Sequence, residues 1–406
     1  MRVPRDHDGF RREKWAIAAL FCFLGFQYAT WASRLPALKT RLDLTEQELG
    51  LLLTACGAGA AASFPLVAFL TRRLGSRRLA LGSALCLAAL LVALSVVPDY
   101  PTALLVVCCD GVAVGCLNVA MNAQGAALET KYGRTAMSQL HATFSAGLLG
   151  AALLASGVNA VTPAVTAHFA TAAVLLSLLL AWARPRLLAD RDGAGAADTS
   201  PPATEGKPGK RRGALTPPSR MTLWMGCAMA FGTITEGAMN DWSALYLKDV
   251  VKASSTVAPL GIAVVSVMML LARACADRWR SRWGDGPVVR VGSAAAGLGL
   301  ALALPAGGVL PTLVGFACVG LGAAAITPCV YVAAAARGAD ALALVAAMGT
   351  TGLLAGPALI GFVAGAGGLT LGMGAVAASA LIVSLCALRI RWGALGPAVE
   401  VPSSAP

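Results

Sequence analysis

Polar side chains recur at helical spacing inside otherwise apolar stretches of this chain. Gln27, Trp31 and Arg34 stand at i, i+4 and i+7, which places them on one face of a helix. Asp110 is followed by Asn118 and Asn122, one turn apart. Ser138, His141 and Ser145 form a third stripe, and Glu236 shares a face with Asn240, with Asp241 and Trp242 beside it. An ionisable group in lipid is costly and marks a substrate path or a proton relay. A carboxylate taken out of water holds its proton more readily and can exchange it near neutral pH. Asp110, Glu236, Asp241 and His141 are therefore the expected proton-coupling groups. Gln27, Trp31, Arg34, Asn118, Asn122, Glu236, Asn240 and Trp242 are the expected substrate contacts, the two indoles offering stacking surfaces to a sugar-like or planar solute. Plainer roles stand beside these. Asn118, Asn122 and Ser145 can bridge neighbouring helices. Arg34 can reach to the interface, and the tryptophans can sit in an interfacial belt.

The elements that must hold these residues are membrane spans. The 406 residues are 57% hydrophobic and 13% charged, with mean hydropathy +0.71, against about 25% charged in soluble domains. The net charge of +12 fits the basic loops of a membrane protein better than nucleic-acid binding. Eleven cysteines lie mostly in apolar runs, form no CxxC pair and sit at no metal spacing, so they read as small buried hydrophobes. The apolar run after Arg11, Arg12 and Lys14 is too long for a removed leader and reads as the first span.

About 20 apolar residues cross a bilayer. The first spans fall near 14–34, 47–71, 78–98 and 102–127, and residues 142–183 divide at Asn159 to Pro163 into the fifth and sixth. Spans seven and eight fall near 221–247 and 254–277. Residues 291–336 divide near Pro305, Gly307, Gly308 and Pro311, and residues 341–388 divide at Gly365, Gly367 and Gly368. The expected fold is all-α, with twelve transmembrane helices in two pseudo-symmetric bundles of six, over 14–183 and 221–390. Tails cover 1–13 and 391–406. Residues 184–220, rich in proline and carrying Lys207, Lys210, Arg211 and Arg212, read as a solvated linker. Lysine and arginine gather in the tails, the linker and the loops after even-numbered spans. Both termini and the linker are thus expected in the cytoplasm of a protein in the cell membrane. Glu129, Arg134, Arg273 and Asp277 fall near the cytoplasmic ends and read as state-dependent salt-bridge partners.

Three motifs repeat between the halves. Arg72-Arg73-Leu74-Gly75-Ser76-Arg77-Arg78 resembles Asp277-Arg278-Trp279-Arg280-Ser281-Arg282-Trp283-Gly284. Gly147-Leu148-Leu149-Gly150 resembles Gly352-Leu353-Leu354-Ala355-Gly356, and Trp31-Ala32-Ser33 resembles Trp242-Ser243-Ala244. Two such halves, a basic linker and these loops resemble the major facilitator superfamily over nearly the whole chain. Arg73, Gly75, Arg77 and Arg78 match the later part of that family's loop motif after its second span, with Arg72 where the family has an aspartate. The resemblance implies that Arg73, Gly75, Arg77 and Arg278 belong to a conformational latch. Finer stretches are similar to a bacterial branch related to fucose permease: Trp31 to Pro36, Ala120 to Gln124, His141 with Ser145, and Glu236 to Ser243. That permease carries an acid in its first span, and this chain has none there.

The expected function is secondary active transport of a small solute by alternating access, proton-coupled, for a sugar-like or polar substrate and in the symport direction. Efflux antiport of drugs or metabolites is the alternative within transport. A glycine-proline motif typical of drug antiporters is lacking in span five. A transport-null sensor would need an appended soluble domain. A membrane enzyme would need a nucleophile–base or metal constellation, which His7, His141 and His168 do not offer. No phosphate-binding Gly-x-x-x-x-Gly-Lys motif appears. No cofactor and no nucleic acid is expected. The expected partners are a small-molecule substrate, the proton and the lipid bilayer, and a monomer suffices.

Overall fold

The computed structural model describes residues 4–134, 136–189 and 219–392, and within them every regular element is helical. The first bundle holds α1 (Pro4–Ala32), α2 (Leu35–Leu42), α3 (Glu46–Leu94), α4 (Tyr100–Tyr132), α5 (Met137–Val161) and α6 (Val165–Ala183), with a 3-10 turn at Arg184–Arg186. The second holds α7 (Arg220–Asp249), α8 (Leu260–Trp283), α9 (Asp285–Ala306), α10 (Val309–Ala323), α11 (Ile326–Ala335) and α12 (Ala339–Arg389).

Helix is the expected answer to a solvent that cannot hydrogen-bond, because it pairs each backbone N–H within its own segment. α3 holds two crossings, on either side of Gly75, and α12 holds two, on either side of Gly367 and Gly368. α10 and α11 form one crossing broken at Ala324–Ala325. Pro328 explains that break, since it has no N–H for the carbonyl four residues earlier and its ring crowds it. With α2 as a short connector, the crossings number twelve, six in each bundle. The divisions at Asn159–Pro163, Pro305–Pro311 and Gly365–Gly368 fall where the residues predict. Polar caps set other starts. Thr45 and Glu48 form a reciprocal capping box at α3. Asp99 accepts the Thr102 N–H at α4, and Ser219 accepts the Thr222 N–H at α7.

Eight helical stretches are long and apolar enough to cross a membrane by composition, one of them, Asp340–Arg389, being long enough for two. The start of α3, all of α7 and α8 fall outside that set, although α8 holds a shorter apolar stretch, Leu260–Ala276. The linker cluster Lys207, Lys210, Arg211 and Arg212 lies outside the described residues.

The bundles repeat one packing plan. α1 packs on α5 and the two crossings of α3 embrace α4; correspondingly α7 packs on the first crossing of α12 and α8 on α10. Between bundles, α5 meets α8 and the first crossing of α3 meets the first crossing of α12. These two interfaces are equivalent under the repeat. The tight corners match too. Gly75 (φ 78, ψ 165) and Gly284 (φ 80, ψ 163) each turn the chain in a single residue, in backbone space that side chains with a Cβ avoid.

That equivalence corrects the sequence register. The residue after the second corner is Asp285, and its carboxylate accepts from Arg280 Nε at 2.7 Å. Asp277 and Arg278 lie a further two turns back along α8, so they do not occupy the place of Arg72 and Arg73. The Asp277 side chain lies outside the described residues, and Arg278 is exposed.

Candidate functional site

Polar contacts at mid-depth join the two bundles. Two consecutive residues of α1 reach in different directions. Gln27 Nε2 donates to Asp110 Oδ1 of α4 at 2.8 Å, inside the first bundle. The Tyr28 hydroxyl donates to Asp241 Oδ1 of α7, across to the second. Asp110 lies ten residues after Tyr100, where α4 begins, and Asp241 eight residues before Asp249, where α7 ends. At 1.5 Å per residue both are about 12–15 Å from their helix ends. Asp110 is 6% and Asp241 4% exposed. Neither carboxylate touches a cation among the described residues. Asp110 Oδ2 and Gln27 Oε1 are buried with no hydrogen-bond partner.

A second cross-bundle contact is built differently. Arg273 of α8 donates through Nη1 to Ser145 Oγ of α5 at 2.8 Å and through Nη2 to Glu236 Oε1 of α7 at 3.1 Å. Both charged side chains are about a third exposed, at 31% and 29%. Arg273 was expected near the end of its span. α8 runs to Trp283, beyond the predicted end at 277, and this extension puts Arg273 ten residues, about 15 Å, inside the helix. His141, one turn before Ser145 on α5, is exposed and meets the Phe21 ring edge-on, centroids 4.9 Å apart.

The other expected contacts distribute unevenly. Asn122 Nδ2 donates to Asn118 Oδ1 at 2.8 Å, and Asn118 is exposed. These lie about two and three turns from Asp110 along α4, toward the end bearing Lys131 and Arg134. Asn240 is nearly buried, its Oδ1 without a partner. Trp31 and Trp242 are fully enclosed, with both indole N–H groups unpaired, and Trp31 meets Tyr28 edge-on at 5.7 Å. Neither indole faces an opening in this conformation. Arg34 turns away from the centre, its Nε donating to His168 Nδ1 of α6 at 3.0 Å.

Four of the expected latch residues make contacts inside the first bundle. Glu129 Oε1 accepts the N–H groups of Ala136 and Met137, at 2.5 and 2.8 Å, and so fixes the start of α5. Arg134 stacks over Phe10 at 4.4 Å and Arg73 over Phe69 at 5.1 Å. Arg77 Nη2 donates to the Arg184 carbonyl at 2.9 Å.

The far ends of the bundles, away from these basic loops, are joined by a further layer. Lys39 of α2 pairs with Asp249 of α7 at 2.9 Å and with Glu46 at 3.0 Å. Burial disfavours the Lys39 ammonium, but the Asp249 and Glu46 carboxylates outweigh it and hold its pKa above the usual lysine value. Ser156 Oγ donates to the Thr256 carbonyl at 2.5 Å and Asn159 Nδ2 to the Ser255 carbonyl at 2.7 Å. Gly50 of α3 lies directly on α12. A Cβ there would stand 2.8 Å from the Pro357 oxygen and 3.0 Å from Gly361 Cα. Tyr28–Asp241 and Arg273–Ser145 at mid-depth, and Lys39–Asp249, Ser156–Thr256 and Asn159–Ser255 in the far layer, thus join the two bundles.

Sequence reasoning missed Tyr28, Lys39 and Asp249 as cross-bundle partners. Tyr28 had a signal, being a phenol next to Gln27 inside an apolar span. No group of histidine, cysteine and acidic residues that could hold a metal ion occurs among the described residues.

The architecture has known counterparts. The family model described as Major Facilitator Superfamily matches residues 16–339. An uncharacterised MFS-type transporter of Yersinia pestis is 34% identical over 382 residues, covering 91% of this chain and 94% of that protein. An uncharacterised transporter of Sinorhizobium fredii is 33% identical, covering 91% and 96%. Membrane protein MosC of Rhizobium meliloti is 30% identical, covering 87% and 84%. In fold, the crystal structure of the nucleoside transporter NupG superposes with a TM-score of 0.71 at 15% identity, covering 93% of this chain and 98% of that one. Two repeated six-helix bundles meeting around buried carboxylates thus coincide with a match over most of the sequence: the chain belongs to the Major Facilitator Superfamily and is a multi-pass membrane transporter.

Proposed function

We propose that this transporter couples proton movement to the transfer of a small polar solute, with Asp241 and Asp110 as the proton-exchanging groups. The bundles over 14–183 and 221–390 are its two moving halves, and 184–220 is the hinge linker. The observation that carries the reading is the pair of adjacent α1 residues, Gln27 and Tyr28, each bonded to a buried carboxylate of a different helix. A buried charge without a cation is costly, so each carboxylate has reason to take up a proton. Protonation of Asp241 removes the charge that the Tyr28 hydroxyl serves, and so weakens a bond that holds the halves together. Glu236 differs because Arg273 balances it, which suits it to recognising solute rather than carrying protons.

The substrate-facing set is Gln27, Asn118, Asn122, Glu236 and Asn240, with Arg273, Ser145 and His141 alongside. Amides, a hydroxyl and an ion pair suit a solute with several hydroxyl groups. The fold neighbour is described as a nucleoside transporter, and nucleosides combine a sugar with a planar base, so they are the first solutes to try. Trp31 and Trp242 take part only if the halves rearrange. With the basic loops placed in the cytoplasm of the cell membrane by charge bias, the far layer is the external gate. The conformation described is then closed outside, and symport is the proposed direction.

The test is uptake of labelled nucleosides and sugars into proteoliposomes with an imposed pH gradient, acid outside. Accumulation above equilibrium is expected for one solute with the wild-type protein. Asp241→Asn and Asp110→Asn should lose gradient drive yet keep solute exchange. Gradient-driven uptake at wild-type rates in both variants would refute the assignment.

A further inference from the structure

A cavity in the second bundle lies apart from the groups of that cycle. It holds about 450 Å³ between the start of α7 and the end of α12, and is lined by Arg220, Leu223, Trp224, Cys227 and Arg389. Small-molecule sites span about 300–1,000 Å³. The four α7 residues stand at i, i+3, i+4 and i+7, so they form one stripe of that helix. The neighbouring Thr222, Met225, Gly226 and Met229 are buried, whereas Leu223 is 41% and Trp224 40% exposed. On α12, Leu385 lies one turn before Arg389 and is also exposed. The two helix ends touch, since the Arg391 N–H meets Met221 Sδ at 3.2 Å.

The lining is ordered by depth. Arg220 is the first residue of α7 and Arg389 the last of α12, so both charges stand at the rim, where a span meets the headgroups. Leu223, Trp224 and Cys227 lie about 5–10 Å further along α7, toward the hydrocarbon. Both arginines are exposed, and neither side chain has a hydrogen bond, ion pair or ring contact among the described residues. Two unpaired guanidinium groups therefore share one opening. Guanidinium N–H groups bind phosphate in pairs, and a tryptophan at this depth suits the boundary between headgroup and acyl chain.

We propose that this cavity binds one anionic phospholipid. Its phosphate lies on Arg220 and Arg389, and its acyl chains run along Leu223, Trp224 and Leu385. Charge at the rim and apolar surface below it match the two parts of such a lipid, and a basic pocket between spans is suited to an anionic headgroup. A free phosphate would use the rim alone. The bound lipid would fasten the start of α7 to the end of α12 and relieve the repulsion between the two arginines. Asp241 is 21 residues from Arg220 on α7, about 30 Å along the helix, so occupancy is separable from proton coupling.

The test uses the full-length protein, held on resin in detergent and equilibrated with micelles carrying phosphatidylglycerol or phosphatidylcholine. Retained lipid is quantified by mass spectrometry. Saturable retention of phosphatidylglycerol above the phosphatidylcholine level is expected in the wild type, a comparison that depends on no variant. A basic residue near an anionic headgroup is worth about fivefold in affinity, so Arg220→Gln combined with Arg389→Gln should weaken phosphatidylglycerol binding about thirtyfold. Phosphatidylcholine retention should not change. Arg391→Gln, at an exposed position outside the cavity lining, should leave both lipids as in the wild type. Excess inorganic phosphate should not displace the lipid. Equal retention of the two lipids, or phosphatidylglycerol binding that survives the double substitution, would overturn the proposal. An equal loss in Arg391→Gln would overturn it in favour of a diffuse basic surface, and displacement by inorganic phosphate in favour of a phosphate site.

Discussion

Two layers of contact hold the bundles together, and they are chemically unlike. At mid-depth each contact includes an ionisable group: Tyr28 bonds the buried Asp241, and Arg273, paired with Glu236 in its own bundle, reaches Ser145 of the other. At the far face, a partly exposed ion pair, two side chains on backbone carbonyls and a glycine contact do the joining. The first layer can change strength when a proton or a polar solute arrives. In the second, Asp249 and Glu46 hold Lys39 charged. The difference suggests a division of labour in which the middle senses and the far layer follows.

The most severe break in this comparison is Asp241→Asn. The amide keeps the shape and can still accept from Tyr28, but it cannot exchange a proton. Accumulation driven by a pH gradient is expected to fall by about tenfold or more, with exchange of solute retained. Tyr28→Phe tests the same contact from the other side. It leaves the carboxylate without its donor and should raise the labelling of cysteines placed at the far face. If the Asn variant accumulates solute normally, the middle layer is not the sensor.

Next in size is the glycine contact. Gly361 packs on Gly50, and a Cβ on Gly361 would stand 2.7 Å from the Glu46 oxygen and 2.8 Å from Gly50 Cα. Backbone cannot yield as a flexible side chain can. Overpacking of this sort costs about 1–3 kcal/mol, but only in the state where the far ends meet. Gly361→Val should therefore shift the population toward a far-open form, by about five- to 150-fold for that range. Spin-label distances between the far ends of α3 and α12 would report it. Unchanged distances would mean that this contact persists in every state.

The Arg273–Glu236 pair should be the milder element of the middle layer. It is about a third exposed, so water screens it, and a coupling of about 1 kcal/mol is reasonable. A double-mutant cycle on solute affinity with Arg273→Gln and Glu236→Gln measures it. Additive effects would place the pair outside the solute site.

Much of this organisation is readable in the residues, and the reasons are local. Apolar run length, Pro305 to Pro311, Asn159 to Pro163 and the Gly365–Gly368 cluster mark helix ends because each acts on its own backbone. The stripes Asn118–Asn122 and Glu236–Asn240 are likewise visible, since periodicity reports a face. Periodicity does not report which face meets which. Tyr28 finding Asp241 depends on how two bundles dock, and Arg34 finding His168 depends on the fold of α6 against α1. Arg273 was misplaced by a different route. The amphipathic end of α8 looks like a loop in composition, and six extra helical residues carried the arginine from an edge to the centre. The corner register failed similarly, because Ser76 and Ser281 made a tempting match while backbone geometry pairs Gly75 with Gly284.

Lys39→Gln should have the smallest effect, and the sign of its pH dependence follows from the pair itself. The folded pKa of Lys39 lies above that of the free side chain. Its stabilising contribution is therefore complete below the usual lysine pKa, about 10.4, and fades only as pH rises through the higher folded value. Between about pH 5 and 8 the Lys39–Asp249 bond is constant, so removing it should shift the closed state by the same amount throughout. With both side chains partly exposed, at 17% and 32%, that amount is about 0.2–1 kcal/mol. Transport rate against pH in Lys39→Gln should thus be displaced by less than about fivefold, with its shape intact. A changed shape would assign proton sensing to the far layer and would erase the distinction between the two.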